Sequence, residues 1–199
     1  MLRTVACLLL CSGCAGYAVA DSDEKKPPNR NALLKGTYRV MTHIACTSSD
    51  RGFADPPSLQ ALGFGEPVID NDTGTMFFDG RGNATETRRG ISVFPQAVTP
   101  GSFPSGTYEV TCRYTYSVTA DKSFALYGSC TGTLPAGPAA GLTVEISPAG
   151  GSGQISESGE LFIVSGVDPV QQTLTLSNGF QTKRLCGAST TGIRVHRRE

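Results

Sequence analysis

The side chains with the most chemical scope in this sequence are four cysteines, Cys46, Cys112, Cys130 and Cys186, two histidines, His43 and His196, and the tyrosines between Tyr108 and Tyr116. These four cysteines remain of seven once Cys7, Cys11 and Cys14 are set aside with a leader over residues 1–20, and they include no Cys-x-x-Cys pair and no histidine at matched spacing, so they lack the usual signature of a zinc site. An even number of thiols in an oxidising compartment reads instead as two disulfides. Histidine alone titrates near neutral pH in an ordinary environment. His43 falls on the polar phase of its segment and His196 precedes Arg197 and Arg198, which marks both as surface residues. No serine sits in a Gly-x-Ser-x-Gly elbow, and a disulfide framework leaves no thiolate nucleophile. We assign no catalytic residue, metal ligand or cofactor from these patterns. Asp70 and Asp72 flank Asn71 ahead of Thr73-Gly74, a composition that reads as a tight turn.

Positioning falls to β-strands. From Thr107 to Thr119, Tyr108, Val110, Cys112, Tyr114, Tyr116 and Val118 share one face, while polar residues fill the other. That period of two is the mark of a half-buried strand. After Ala120-Asp121-Lys122 comes a second such segment, with Phe124, Leu126, Gly128 and Cys130 in phase. A hairpin centred on Asp121 pairs Val118 with Phe124, Tyr116 with Leu126, Tyr114 with Gly128 and Cys112 with Cys130, joining apolar face to apolar face. Directly opposed residues lie within disulfide reach, so the spacing predicts Cys112–Cys130. Elimination leaves Cys46–Cys186, which would tie the first strand to one near the end and close a sheet into a barrel. Lys122 must then take the left-handed turn position, or the loop must be longer.

Outside this hairpin the chain has three regions. Arg3, the apolar stretch Val5–Cys11 and the small residues after it read as an export leader over 1–20, too short to span a bilayer. Ala18-Val19-Ala20 suits ordinary cleavage, while Cys11-Ser12-Gly13-Cys14 resembles a lipoprotein box that would place a lipid anchor on Cys14. Either route takes the protein to the periplasm, the outer membrane or the medium. Residues 21–34 are charged and non-periodic, as in a flexible tether, and 35–199 form one domain. Seventeen basic residues balance seventeen acidic ones, which excludes the basic stripe needed to bind nucleic acid.

Twenty-four glycines and twelve prolines between β-branched runs indicate an all-β fold. We expect an antiparallel β-barrel of about nine or ten strands, with a sandwich as the rival. Asp79-Gly80-Arg81-Gly82 and Ser177-Asn178-Gly179 read as hairpin connections, and Asp168-Pro169 as a further turn. Three excursions interrupt the strands, Thr47–Gly74, Ile91–Gly106 and Ser147–Gly159. The second carries Phe94 and Phe103, and the third, with Gly150-Gly151-Ser152-Gly153, reads as mobile. Gly74 to Thr85, Tyr114 to Val118 and Gly128 to Gly132 resemble small exported bacterial β-barrel proteins of uncharacterised function, similar in organisation to lipocalins and allene-oxide-cyclase-like barrels. That resemblance implies a closed barrel and carries over no active site. The stripe Tyr108, Tyr114, Tyr116 and Phe124, with Phe94 and Phe103, suggests a site for a small apolar or amphipathic ligand. The alternatives are a cyclase or isomerase acting by shape, and an envelope module that grips another protein.

Overall fold

A computed structural model describes residues 28–55, 58–94, 105–165 and 171–196. Nine strands follow a single-turn 3-10 helix at Arg30–Leu33: β1 (Lys35–Ser49), β2 (Gly65–Asp79), β3 (Asn83–Val93), β4 (Gly106–Val118), β5 (Ser123–Ala136), β6 (Thr143–Ile155), β7 (Leu161–Ser165), β8 (Gln171–Leu176) and β9 (Gln181–Arg194). Each pairs antiparallel with its neighbours, and β1 pairs with β9, so the sheet closes on itself as a barrel. Closure replaces the sandwich and leaves no sheet edge. Strands β7 and β8 both lie between β6 and β9, so they share one position of an eight-position ring.

Register follows the predicted hairpin. Cys112 opposes Cys130, Tyr114 opposes Gly128, Tyr116 opposes Leu126 and Val118 opposes Phe124. Lys122 takes the left-handed turn position with φ of 64°. Cys46 opposes Cys186 across β1 and β9, and both disulfides are formed. Gly128 has a close-packing role as well, because a Cβ there would lie 1.8 Å from the carbonyl oxygen of Arg113.

One end of the barrel is packed solid. Tyr38, Phe78, Tyr116, Phe124 and Phe162 meet there mostly edge to face, with ring centroids 5.1–5.7 Å apart. Each buried ring contributes roughly 1.5–3 kcal/mol relative to exposure. The Tyr38 hydroxyl donates to the Gly159 carbonyl at 2.6 Å and accepts from Arg194, whose guanidinium also binds Glu160 and the Leu33 carbonyl.

The 3-10 turn caps this closed end, so the last residues of the stretch read as a tether pack on the barrel, while residues 21–27 lie outside the described residues. Leu34 is fully buried, the Tyr116 hydroxyl donates to the carbonyls of Leu34 and Asn31, and the Asn31 side chain accepts from the Val118 amide. Residues 29–34 therefore belong to the domain. Short polar sequence concealed this, since one apolar plug residue carries no periodicity.

Two further expectations are corrected. Ser147–Gly159 is mostly β6, and its glycines fit close contacts instead of conferring mobility: a Cβ on Gly150 would lie 2.1 Å from the Leu126 carbonyl, and one on Gly153 would strike the Phe124 ring at 2.6 Å. Strands β7 and β8 run in the same direction, both antiparallel to β6 and β9, and the turn expected at Asp168-Pro169 falls between them. Asp168 and Pro169 themselves lie outside the described residues. Finally, Asp70–Thr73 is the middle of β2, not a turn.

Candidate functional site

Strand β2 sends its even-numbered residues inward, Glu66, Val68, Asp70, Asp72, Met76 and Phe78, all buried. The same alternation on β3 turns Glu86 and Arg88 inward, and on β9 it turns Arg184 inward. Charged groups thereby enter the open half of the barrel at positions where apolar side chains occupy the closed half. Burial of isolated charges at such sites costs several kcal/mol each, so they must be paired.

Two groups form. Arg88 lies 3.3 Å from Asp72 and 3.5 Å from Glu86. The Tyr108 hydroxyl donates to Asp72 at 2.7 Å, and the Tyr114 hydroxyl donates to Glu86 at 3.0 Å. Arg88 also rests 3.6 and 3.8 Å from the two sulfurs of the Cys112–Cys130 disulfide. In the second group Arg184 lies 3.3 Å from Asp70, which also accepts from the Ser92 hydroxyl, and donates to Gln172 at 3.3 Å. The Nε groups of Arg88 and Arg184 are buried and make no hydrogen bond.

A cavity of about 310 Å³ adjoins the first group. Met76, Leu126 and Val164 supply apolar wall, while Glu86, Arg88, Tyr114, Gln172, Thr42 and Thr190 supply polar wall. A smaller space of about 60 Å³ extends towards the mouth past Tyr108, Asp70 and Arg184. Arg88 and Gln172 line both.

Protonation follows from the surroundings. Burial raises the pKa of Glu86, opposed by the Arg88 charge and the Tyr114 hydroxyl. Burial, together with the neighbouring carboxylates, raises both Tyr108 and Tyr114 well above the ordinary tyrosine value, so both remain neutral hydrogen-bond donors. The arrangement can therefore orient a polar group by fixed donors and acceptors.

The Glu86 shift gives a pH dependence. The folded state holds the Glu86 proton to higher pH than the unfolded chain does, so this residue lowers stability as pH rises from near its ordinary 4.5 through the folded value. Glu86→Gln removes that dependence and keeps an acceptor for Tyr114. Its stability relative to the parent should improve steadily from pH 4 to pH 7 in denaturant titrations, and an unchanged difference across that range would contradict the shift.

The sequence-predicted ligand residues are divided between regions. Tyr114 borders the larger cavity and Tyr108 the smaller. Tyr116 and Phe124 belong to the packed aromatic end. Phe94 packs with Cys46 and Val68 in a separate small cluster, and Phe103 lies outside the described residues. His43 is exposed, 2.8 Å from the Asn71 side-chain oxygen, and His196 is exposed against Glu160. Sequence reading missed Asp70, Asp72, Glu86, Arg88, Gln172 and Arg184. The available signal was phase: Asp70 and Asp72 continue the inward register of Val68 and Met76.

No protein-family model matches the sequence, and no curated protein matches it with significant similarity. The likeness in organisation to lipocalin barrels extends to the closed antiparallel ring. Everything assigned to the interior rests on this chain's own geometry.

Proposed function

We propose that this chain is an exported protein of the envelope or extracellular space that holds a small amphipathic molecule in the open half of its barrel. The observation that carries the reading is the cavity of about 310 Å³ whose apolar wall faces the Glu86–Arg88–Tyr114 group. That volume lies at the lower end of the range for small-molecule sites. A ligand's hydrocarbon part fits against Met76, Leu126 and Val164, and its polar end meets Arg88 and Gln172. Arg88 and Gln172 both line the cavity, which supports a ligand with a hydrogen-bond acceptor at that end. Two disulfides in the described barrel fit an oxidising compartment, reached either by cleavage after Ala20 or with lipid on Cys14.

Native mass spectrometry of protein purified from its own host should reveal a co-purifying small molecule. Ala188→Phe, which projects a ring into the cavity, should retain both disulfides and lose that adduct. A parent protein that carries no adduct, or a variant that carries the same one, contradicts interior binding.

A further inference from the structure

On β2 to β5 the outer wall carries threonine, Arg89, Glu109 and Arg113 around single, separated apolar residues, Phe77, Ile91 and Tyr127. Strands β7, β9 and β1 differ. Leu161 opposes Ile193, which opposes Arg39, and one row further Ile163 opposes Thr191, which opposes Met41. Val195 continues the strip, its amide bonded to the Thr37 carbonyl. These five apolar side chains are 41–71% exposed. Arg39 lies among them, exposed and with no ion pair among the described residues.

We propose that this strip rests on a lipid surface bearing anionic headgroups. Three strands and three rows cover roughly 10 by 14 Å at ordinary sheet spacings. Such an area is far below the roughly 800 Å² per partner of a stable protein interface. Isolated apolar side chains on the outside of a barrel can enter the boundary between headgroups and acyl chains without needing a large complementary surface.

Charge favours the same occupant. The outward positions of these rows hold no acidic residue on β7, β9 or β1, while Arg39, Lys35 and Arg30 are exposed towards the closed end. The chain also reaches the barrel at that end, where Asn29 donates to the Gly80 carbonyl. An N-terminal anchor would therefore hold the strip near a membrane. Contact by one small strip is weak and reversible, and it needs both apolar insertion and headgroup charge.

The test uses the full chain carrying Cys14→Ser, so that no acyl group contributes. Co-sedimentation is measured with vesicles of equal parts phosphatidylcholine and phosphatidylglycerol, and with phosphatidylcholine alone. Binding is expected to the mixed vesicles and to fall with added salt. Met41→Asp/Ile193→Asp should weaken it about tenfold or more, the loss expected from two unburied side chains. Arg39→Glu should weaken it on the mixed vesicles only. All three positions are exposed, and an unchanged circular-dichroism spectrum and disulfide map establish that the variants fold. No binding to mixed vesicles, equal binding to both compositions, or self-association abolished by the same substitutions would overturn the proposal. So would capture of a protein partner lost with the strip while vesicle binding is unaffected. Ala188→Phe, which alters the interior, should leave vesicle binding unchanged.

Discussion

Arg88→Met is expected to destabilise the barrel by about 3–5 kcal/mol at neutral pH, the range for removing one partner of a buried ion pair. The carboxylate of Asp72 has no exposed side-chain surface and that of Glu86 only 3%. Both depend on Arg88 for countercharge. Tyr108 and Tyr114 each supply one hydrogen bond, which is too little to hold two uncompensated carboxylates away from water. The sign of the pH effect is fixed by the same reasoning. Without the cation Glu86, whose proton affinity burial already raises, holds its proton more tightly still in the folded state than in the unfolded chain, so the variant should regain stability as pH is lowered from neutrality. Adding Asp72→Asn and Glu86→Gln should recover much of the loss at neutral pH. Urea titrations across pH measure both effects. A loss below about 1 kcal/mol, or one equal at pH 5 and pH 7, would show that the triad does not carry the energy assigned to it.

Removing the Cys46–Cys186 bridge should cost a comparable amount for a different reason. Its residues are 140 apart in sequence, and they join the first strand to the last. A cross-link over so long a loop restricts the unfolded chain by about 5 kcal/mol on the chain-entropy account. Cys46→Ala/Cys186→Ala is therefore expected to lose about 3–5 kcal/mol, or roughly 6–20 °C in Tm for a domain of this size. The β1–β9 ladder itself should survive, because its register is also held by Tyr38 against Arg194 and Val40 against Gly192. Thermal unfolding followed by far-ultraviolet circular dichroism reports the shift. A change of only a few degrees would mean that the unfolded chain already holds its ends close together.

These effects act on opposite sides of the folding equilibrium. The disulfide limits what the unfolded chain can explore, whereas the triad determines whether the folded interior tolerates polar groups. The division matters for the proposed site, since cavity, apolar wall and ion group occupy the half of the barrel that the aromatic plug does not fill. On the proposed reading, one end of the barrel serves stability and the other recognition.

Much of the architecture was legible in the chain itself. Alternation from Tyr108 to Val118, continued by Phe124 to Cys130, determined a hairpin with one register that kept every apolar residue on one face. That register fixed one disulfide, parity fixed the other, and together they required a closed sheet. Local patterns of this kind are readable because a one-residue slip would turn every side chain to the wrong face. The polar interior was not readable in the same way. Asp70-Asn71-Asp72 has the composition of a turn, and only pairing of β2 with β1 and β3 makes it a strand. Arg88 meets Glu86 on its own strand and Asp72 diagonally across the β2–β3 ladder, whereas Arg184 reaches Asp70 from a strand 114 residues away that only ring closure brings near. The stretch Gly150–Gly153 was likewise ambiguous, since glycine serves a loose loop and a crowded wall equally well until its neighbours are in place. Strand phase is a property of a short segment, but the balance of buried charge belongs to the whole barrel, and only tertiary structure could decide it.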